Sequence, residues 1–354
     1  MIEETKHPSP ATPPSPAAPP SPAACPLPPA AFALPPAACR LPPVPLLAWF
    51  AANARDLPWR HTRNPYHILV SEIMLQQTPV DRVIPKYHDF LEAFPTLESL
   101  AAAPTAEVIR IWAGLGYNRR AVNLQRAVRA VRDSYGGLFP PTAQALQNLP
   151  GIGPYTAGAV ACFAFEQDVA FMDTNIRRVL RRTLVGPDDT EPPPHDRVLL
   201  ALGAALVPPG QGWAWNQAIM ELGALICTAS APACRRCPIS LYCRAYAARA
   251  AADEVALLAM GEDVGTERAV GAPTPRPVRR VAERKEEPYL GSRRWYRGKI
   301  IDALREHNRL PLARLGPLVK ADYCESDAAW LRDLVAGLSR DGLVILEDDD
   351  VRLP

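Results

Sequence analysis

The sequence predicts a mainly α-helical protein, on two observations. From Leu46 to about Ala250, apolar residues recur at three- and four-residue spacing, broken by Pro and Gly turns such as AFPT, AAPT, YGGLFPPT and LPGIGP. No run of period-two alternation interrupts that stretch. The last segment follows a different pattern, in which helical stretches near 296–307, 311–320 and 326–340 lead into GLVILEDDDVRLP, two short β-prone runs around an acidic turn. Three helices and a terminal hairpin read as a winged-helix-like module over residues 289–354. Within the helical stretch, Thr105 before AEVIRIW and Thr142 before AQALQNL are the expected N-caps, because a threonine hydroxyl can accept from the free N–H groups of a first turn.

The 354 residues, 48% of them hydrophobic, are enough for about two domains and for an enzyme's cleft. Residues 1–45 hold sixteen of the 41 prolines, interleaved with alanine, and cannot offset their ordering entropy by burial, so a disordered tail is expected there. Residues 251–288 return to aperiodic Pro, Ala, Glu and Arg and read as a linker. The opening MIEETKHPSP lacks the basic and apolar regions of a secretory signal, and no run reaches the roughly 18 apolar residues of a membrane helix. A soluble cytoplasmic protein is expected.

The net charge of +2 is too small to mark a nucleic-acid binder. Its distribution is more informative. Basic residues bunch at YNRR (117–120), RRVLRR (177–182) and from RRVAERK to SRRWYRGK (279–299), giving patches suited to phosphates or simply to solvated helix faces.

Four of the eight cysteines, Cys227, Cys234, Cys237 and Cys243, follow the spacing C-x6-C-x2-C-x5-C. Four thiolates in one short loop suit a tetrahedral zinc or a [4Fe–4S] cluster, and spacing alone does not choose between them. Such a site fixes a loop rather than reacts. Arg235 and Arg236 lie inside it, while Cys25, Cys39, Cys162 and Cys324 have no comparable spacing.

LPGIGPYTAGAV (149–160), then MDTNIRRVL (172–180), then the cysteine loop, resemble the helix-hairpin-helix DNA glycosylase superfamily with an iron–sulfur cluster. LPWRHTRNPY, SEIMLQQT and GLGY narrow the resemblance to adenine glycosylases of the MutY type, over about residues 46–250. It implies a two-lobed helix-hairpin-helix fold, a [4Fe–4S] cluster in place of zinc, and a monomer acting at the nucleoid on double-stranded DNA with a mismatch or 8-oxoguanine. The reaction implied is base excision repair: hydrolysis of the N-glycosidic bond of adenine opposite 8-oxoguanine or guanine.

The residues agree with that chemistry. In the hairpin Leu149, Gly151 and Gly153 precede a helix start, and glycines there permit positive φ and close backbone approach, so that free amides grip a phosphate. Glycosidic cleavage passes through an oxocarbenium-like state and needs one acid for the departing base and one carboxylate facing the sugar. Glu72 and Asp173 stand where the family keeps these groups, although Glu72 also reads as a surface acid and Asp173 as an N-cap. Tyr155 occupies the place where bifunctional relatives resembling endonuclease III hold an imine-forming lysine; a phenol forms no imine, which implies an enzyme that stops at the abasic site. Packing of its ring in the hairpin is the alternative.

By resemblance Asn175 orients Asp173 or the water, Arg60 and Gln217 line the pocket for the extruded adenine, and Trp59 adds an apolar wall. Gln77 and Tyr117 are the wedges that fill the vacated stack, with Thr78 beside the lesion strand; core packing is the alternative for Trp59 and Tyr117. Two departures stand out. Asn118 follows Tyr117 where the family usually has a second tyrosine, a trait shared with thymine glycosylases acting on T·G mismatches, and the usual Nudix-like C-terminal domain is not recognisable in residues 251–354. A T·G or U·G glycosylase and a non-catalytic DNA-binding protein are therefore the competing readings.

Overall fold

The computed structural model describes residues 41–190, 192–261 and 288–354. The expected tail therefore lies outside the described residues except at its end, where Pro43 at a first helical turn already opens α1 (Pro43–Asn53). A 3-10 turn at Pro58–Arg60 leads to α2 (Pro65–Leu75), capped by Asn64, whose side chain accepts from the Tyr66 amide at 2.9 Å. Then follow α3 (Val80–Ala93), α4 (Leu97–Ala102), α5 (Thr105–Ile111), α6 (Arg119–Tyr135), α7 (Ala143–Leu146) and α8 (Pro154–Phe165). After α9 (Thr174–Leu180) and a π turn at Arg181–Val185 come α10 (Asp196–Leu206), α11 (Gly212–Leu225) and α12 (Arg244–Gly261).

Two boundaries differ from expectation. Thr142 does cap α7, accepting from the Ala145 amide, but Thr105 is the first residue of α5 and donates instead to Gln125 Oε1 at 2.8 Å. The helix α12 also runs on to Gly261, well inside the expected linker; the rest of that linker, 262–287, lies outside the described residues.

Helices α2 and α8 pack together at the centre of the main core. Each is apolar on nearly every face, with Ile68–Met74 of α2 and Thr156–Phe163 of α8 buried throughout. A helix buried all round has no solvent stripe. The segment after α8 folds back over a glycine: a Cβ on Gly158 of α8 would lie 2.6 Å from Phe171 Cβ. Trp112, Trp215, Phe90, Leu69 and Met74 are among the fully buried side chains, each worth roughly 1.5–3 kcal/mol of apolar transfer.

The last residues form α13 (Arg293–Glu306), β1 (Arg309–Pro311), α14 (Leu312–Val319), α15 (Ala328–Arg340), β2 (Ile345–Glu347) and β3 (Asp350–Arg352). The expected hairpin is β2–β3, and β3 sits between β2 and an additional strand, β1, in an antiparallel sheet of order β1-β3-β2. The core of these elements reaches past them: Ile109 of α5 and Val122 of α6 are buried in the same cluster as Ile300, Leu304 and Leu334. Among the described residues no helix is long and apolar enough to cross a membrane.

Candidate active site

Glu72 sits on the inward face of α2, 4% exposed, and is no surface acid. Burial pushes its carboxyl up to about 7; the Tyr155 hydroxyl, hydrogen-bonding to it, opposes the rise and the charge of Asp173 adds to it. Its Oε2 has no hydrogen-bond partner among the described residues. A buried carboxyl of this kind holds a transferable proton near neutral pH.

Tyr155, in the first turn of α8, packs its ring and also meets the two carboxyls. Its ring packs edge-on against Phe171 with centroids 5.5 Å apart, while burial and the charges of Glu72 and Asp173 raise its phenol well above the ordinary value. Asp173 likewise does two things. Its Oδ1 accepts from the Ile176 amide at 2.6 Å and caps α9, and its Oδ2 accepts from Asn175 Nδ2 at 3.0 Å. Asn175 is in turn held by Arg178, whose Nη2 donates to Asn175 Oδ1 at 2.8 Å and to the Gly223 carbonyl at 2.7 Å, while its Nε donates to the Cys227 carbonyl. Gly223 of α11 is required at this crossing, since a Cβ there would lie 2.7 Å from Asn175 Cβ.

A second constellation joins the 3-10 turn to α11. Arg60 Nε donates to Gln217 Oε1 at 3.0 Å, its Nη1 to the Arg55 carbonyl at 2.7 Å and its Nη2 to Glu221 Oε2 at 2.8 Å. Burial alone would raise Glu221, but Arg55 and Arg60 donate to it and hold it down at about 2. The buried Trp59 packs edge-on against Tyr87 at 5.6 Å, as a core aromatic does.

The expected wedge residues share one backbone trait. Gln77 (φ 55°) and Tyr117 (φ 47°) both adopt the left-handed region that non-glycine residues avoid, and both are exposed, Tyr117 by 45%. Strain of that kind persists only where surrounding structure imposes it. The imposing group is Arg120, which donates to the Ile73, Met74 and Gln76 carbonyls and Thr78 Oγ1 of one loop and to the Leu115 and Gly116 carbonyls of the other. Thr78, held by Arg120, is buried.

In the hairpin, Leu149 is buried and its carbonyl accepts from the Ile152 amide at 3.2 Å. Gly151 has the expected positive φ of 76°, with Asn123 Cβ 2.9 Å from where its own Cβ would be. Gly153 does not: its φ is −86°, and its contribution is open space, nothing lying within 4 Å of a Cβ there.

Cys227, Cys234, Cys237 and Cys243 line one cavity with Leu222, Ile226 and Ile239. Arg182 Nη1 lies 3.6 Å from Cys227 Sγ and Arg249 Nη1 3.9 Å from Cys234 Sγ; backbone amides donate to Cys237 and Cys243. Burial pushes the Cys237 thiol up to about 11. Among the described residues no three His, Cys, Asp or Glu side chains lie close enough to hold one metal ion.

The profile of the HhH-GPD superfamily base excision DNA repair proteins matches residues 70–199. Adenine DNA glycosylase of Mycolicibacterium smegmatis is 39% identical over 292 residues, covering 82% of this chain and 86% of that protein. The chain belongs to the adenine DNA glycosylase family. The human adenine DNA glycosylase is 42% identical over 230 residues, 62% of this chain and 42% of the human protein. A solved thermostable thymine-DNA glycosylase superposes with a TM-score of 0.54 at 34% identity, over 58% of this chain and 94% of that one.

Three side chains that hold these residues in place are not marked by the sequence motifs. Glu221 was signalled, because an acid inside the apolar run AIMELGAL must find a partner, and it lies one turn from Gln217. Arg120 and Arg178 were hidden in basic clusters. Neither they nor Arg182, which is 4% exposed and paired with Asp188, face solvent as free cations. A sequence cluster says nothing about carbonyls more than forty residues away.

Proposed function

We propose that this chain is a monofunctional DNA glycosylase that hydrolyses the N-glycosidic bond of adenine mispaired with 8-oxoguanine or guanine. The single observation that carries the reading is the meeting of Glu72, Tyr155 and Asp173, two carboxyls at one phenol, of which Glu72 is buried and drawn up towards neutral pH. Glu72 gives its proton to the departing base, Asp173 faces the resulting sugar cation, and water adds to the anomeric carbon while its proton returns to Glu72. Asn175 fixes the Asp173 carboxylate for that task. Tyr155 offers no amine, so the reaction ends at the abasic site.

On this reading, residues 46–250 form the glycosylase domain and 289–354 a winged-helix-like module, supported by the order helix, strand, two helices, two strands. The hairpin of Leu149, Gly151 and Gly153 grips a phosphate of double-stranded DNA, Gln77 and Tyr117 enter the stack beside Thr78, and Arg60, Gln217 and Trp59 wall the extruded base. Cys227, Cys234, Cys237 and Cys243 would hold a [4Fe–4S] cluster. A zinc at about 2.3 Å from each sulfur needs the thiols nearly in contact, whereas a cluster spans thiols spread around a cavity, and the arginine and amide donors suit anionic sulfur. When bound, the cluster supplies a covalent staple for the loop. The protein would act as a monomer at the nucleoid.

The adenine relatives, similar over most of the chain, support adenine as the base. The likeness to a thymine-DNA glycosylase favours a second reading, a T·G or U·G enzyme. Base release from duplexes carrying A·8-oxoG, A·G, T·G and U·G decides between them. Release of thymine or uracil in preference to adenine would overturn the first reading, and release of no base from any duplex would overturn both.

A further inference from the structure

The wedge loop is held from two sides, and one of them is the C-terminal module. Arg294, exposed on the first turn of α13, donates from Nη1 to the Tyr117 hydroxyl at 3.1 Å and lies over the Tyr117 ring at 5.6 Å. The Tyr289 ring backs the same guanidinium at 5.2 Å. Near the other end of α13, Arg305 donates to Asn118 Oδ1 at 2.8 Å and to the Ile109 carbonyl. Residues 117 and 118 are thus each gripped by an arginine of α13. The module cannot swing away freely, since Ile109 and Val122 share its core and the Ala106 amide donates to the carbonyl of Pro354 at 2.6 Å.

The other cations of α13 are engaged differently. Arg293 pairs with Asp333 and Arg297 with Asp341, while the Lys299 ammonium lies over Trp295. Arg294 alone of the four reaches the strained tyrosine. Gln77, Tyr117, Tyr289 and Arg294 together line one concave surface.

We propose that the C-terminal module is part of the base-extruding surface, and that Arg294 is a positioning residue that fixes the Tyr117 wedge for entry into the duplex. The inference rests on the glycosylase reading above. A tyrosine with positive φ on a glycine-flanked loop has other conformations available, and a guanidinium that holds both its ring and its hydroxyl narrows them before DNA arrives. Preorganisation of this kind cuts the ordering cost of the inserted state, which is reached as the base is extruded.

The test uses the full chain and a duplex with 2-aminopurine, an adenine analogue that fluoresces on unstacking, opposite 8-oxoguanine. Stopped-flow traces are taken at saturating enzyme. Arg294→Met is expected to slow the fluorescence rise about fivefold, the scale of a cation–π contact plus a hydrogen bond at a half-exposed site, and Arg294→Lys to restore part of the rate. In a Tyr117→Ala background the Arg294→Met change should add nothing, because the two residues act through one contact. An unchanged rate with weaker, less salt-dependent binding would make Arg294 a phosphate contact and overturn the proposal, as would multiplying effects in the double variant. A parent that releases adenine while Arg294→Met behaves identically refutes only this inference; a parent that neither releases adenine nor shows the fluorescence rise refutes the glycosylase reading with it.

Discussion

Replacing Glu72 by glutamine should remove activity and add stability at once. The carboxyl is buried and its pKa stands at about 7 against an ordinary 4.5. The native state therefore holds this proton where the unfolded chain has released it. Stability falls as pH rises through that window: the contribution is intact below about 4.5 and lost above about 7. At about 1.4 kcal/mol for each tenfold, the loss amounts to about 3 kcal/mol at pH 8. Glutamine is neutral at every pH and escapes it, less about 1 kcal/mol for an amide N–H placed where Glu72 Oε2 has no partner. Roughly 2 kcal/mol of net gain at pH 8 raises Tm by about 5 °C, a difference that shrinks toward zero or reverses near pH 5. Base release should meanwhile drop about 10²- to 10⁴-fold, the usual worth of a positioned general acid. In the parent, single-turnover adenine release should decline about tenfold per pH unit above about 7, as the acid form is titrated away. Single-turnover rates from about pH 5.5 to 9 and melting curves near pH 5 and 8 measure all of this. Turnover by Glu72→Gln within tenfold of the parent, or identical melting of the two proteins at pH 8, would refute the assignment of a buried proton to Glu72.

Asp173→Asn keeps a good cap and loses the charge, so it should stay within about 0.5 kcal/mol of the parent's stability while losing at least about 10²-fold in base release; Asp173→Ala should lose about 1 kcal/mol more. Normal turnover by the asparagine variant would reduce Asp173 to a cap. Tyr155→Lys places an amine beside Glu72 and Asp173, whose charges keep it protonated, so slow but detectable borohydride trapping of a protein–DNA adduct is expected from the variant and none from the parent. Efficient trapping by the parent would show that another amine serves. Anaerobically purified protein should carry iron and absorb broadly in the visible, and Cys237→Ser should bleach it; stoichiometric zinc without iron would exclude the cluster.

The helical architecture was legible because apolar periodicity reports a buried face, and the long elements α6 and α11 lie inside the stretch that this periodicity marks as helical. Short elements were not. The strand β1 is three residues, too few for alternation to register, and exists only because Arg309, Leu310 and Pro311 pair with Arg352, Val351 and Asp350. Among site residues, Asp173 was legible as a cap, since an aspartate opening a helix accepts from the amides of its first turn. Glu72 carried a signal in its neighbours, the apolar run PYHILVSEIML, in which a carboxyl has no exposed face to occupy. The arginines were the least legible. Arg120 and Arg178 work through carbonyls and amides brought close by tertiary folding, and their sequence clusters suggested phosphates instead. Gly153 shows the converse error: a glycine in a hairpin suggests positive φ, yet this one supplies only room.

Asn118, one departure from the usual motif, meets the C-terminal helix α13 directly. Asn118 Oδ1 accepts from Arg305, whose guanidinium is drawn below its ordinary pKa by burial against α5 and the start of α6. A second tyrosine at that position would offer a ring where the module needs a short acceptor, leaving a buried guanidinium N–H unpaired at a cost of about 1–3 kcal/mol. A chain that docks α13 on this face therefore needs a residue such as asparagine there, whatever base it excises. Asn118 consequently weighs little for thymine as the substrate, because its acceptor is already committed to holding the module. The same docking of α13 brings Arg294 to Tyr117, so that one contact face holds both Tyr117 and Asn118.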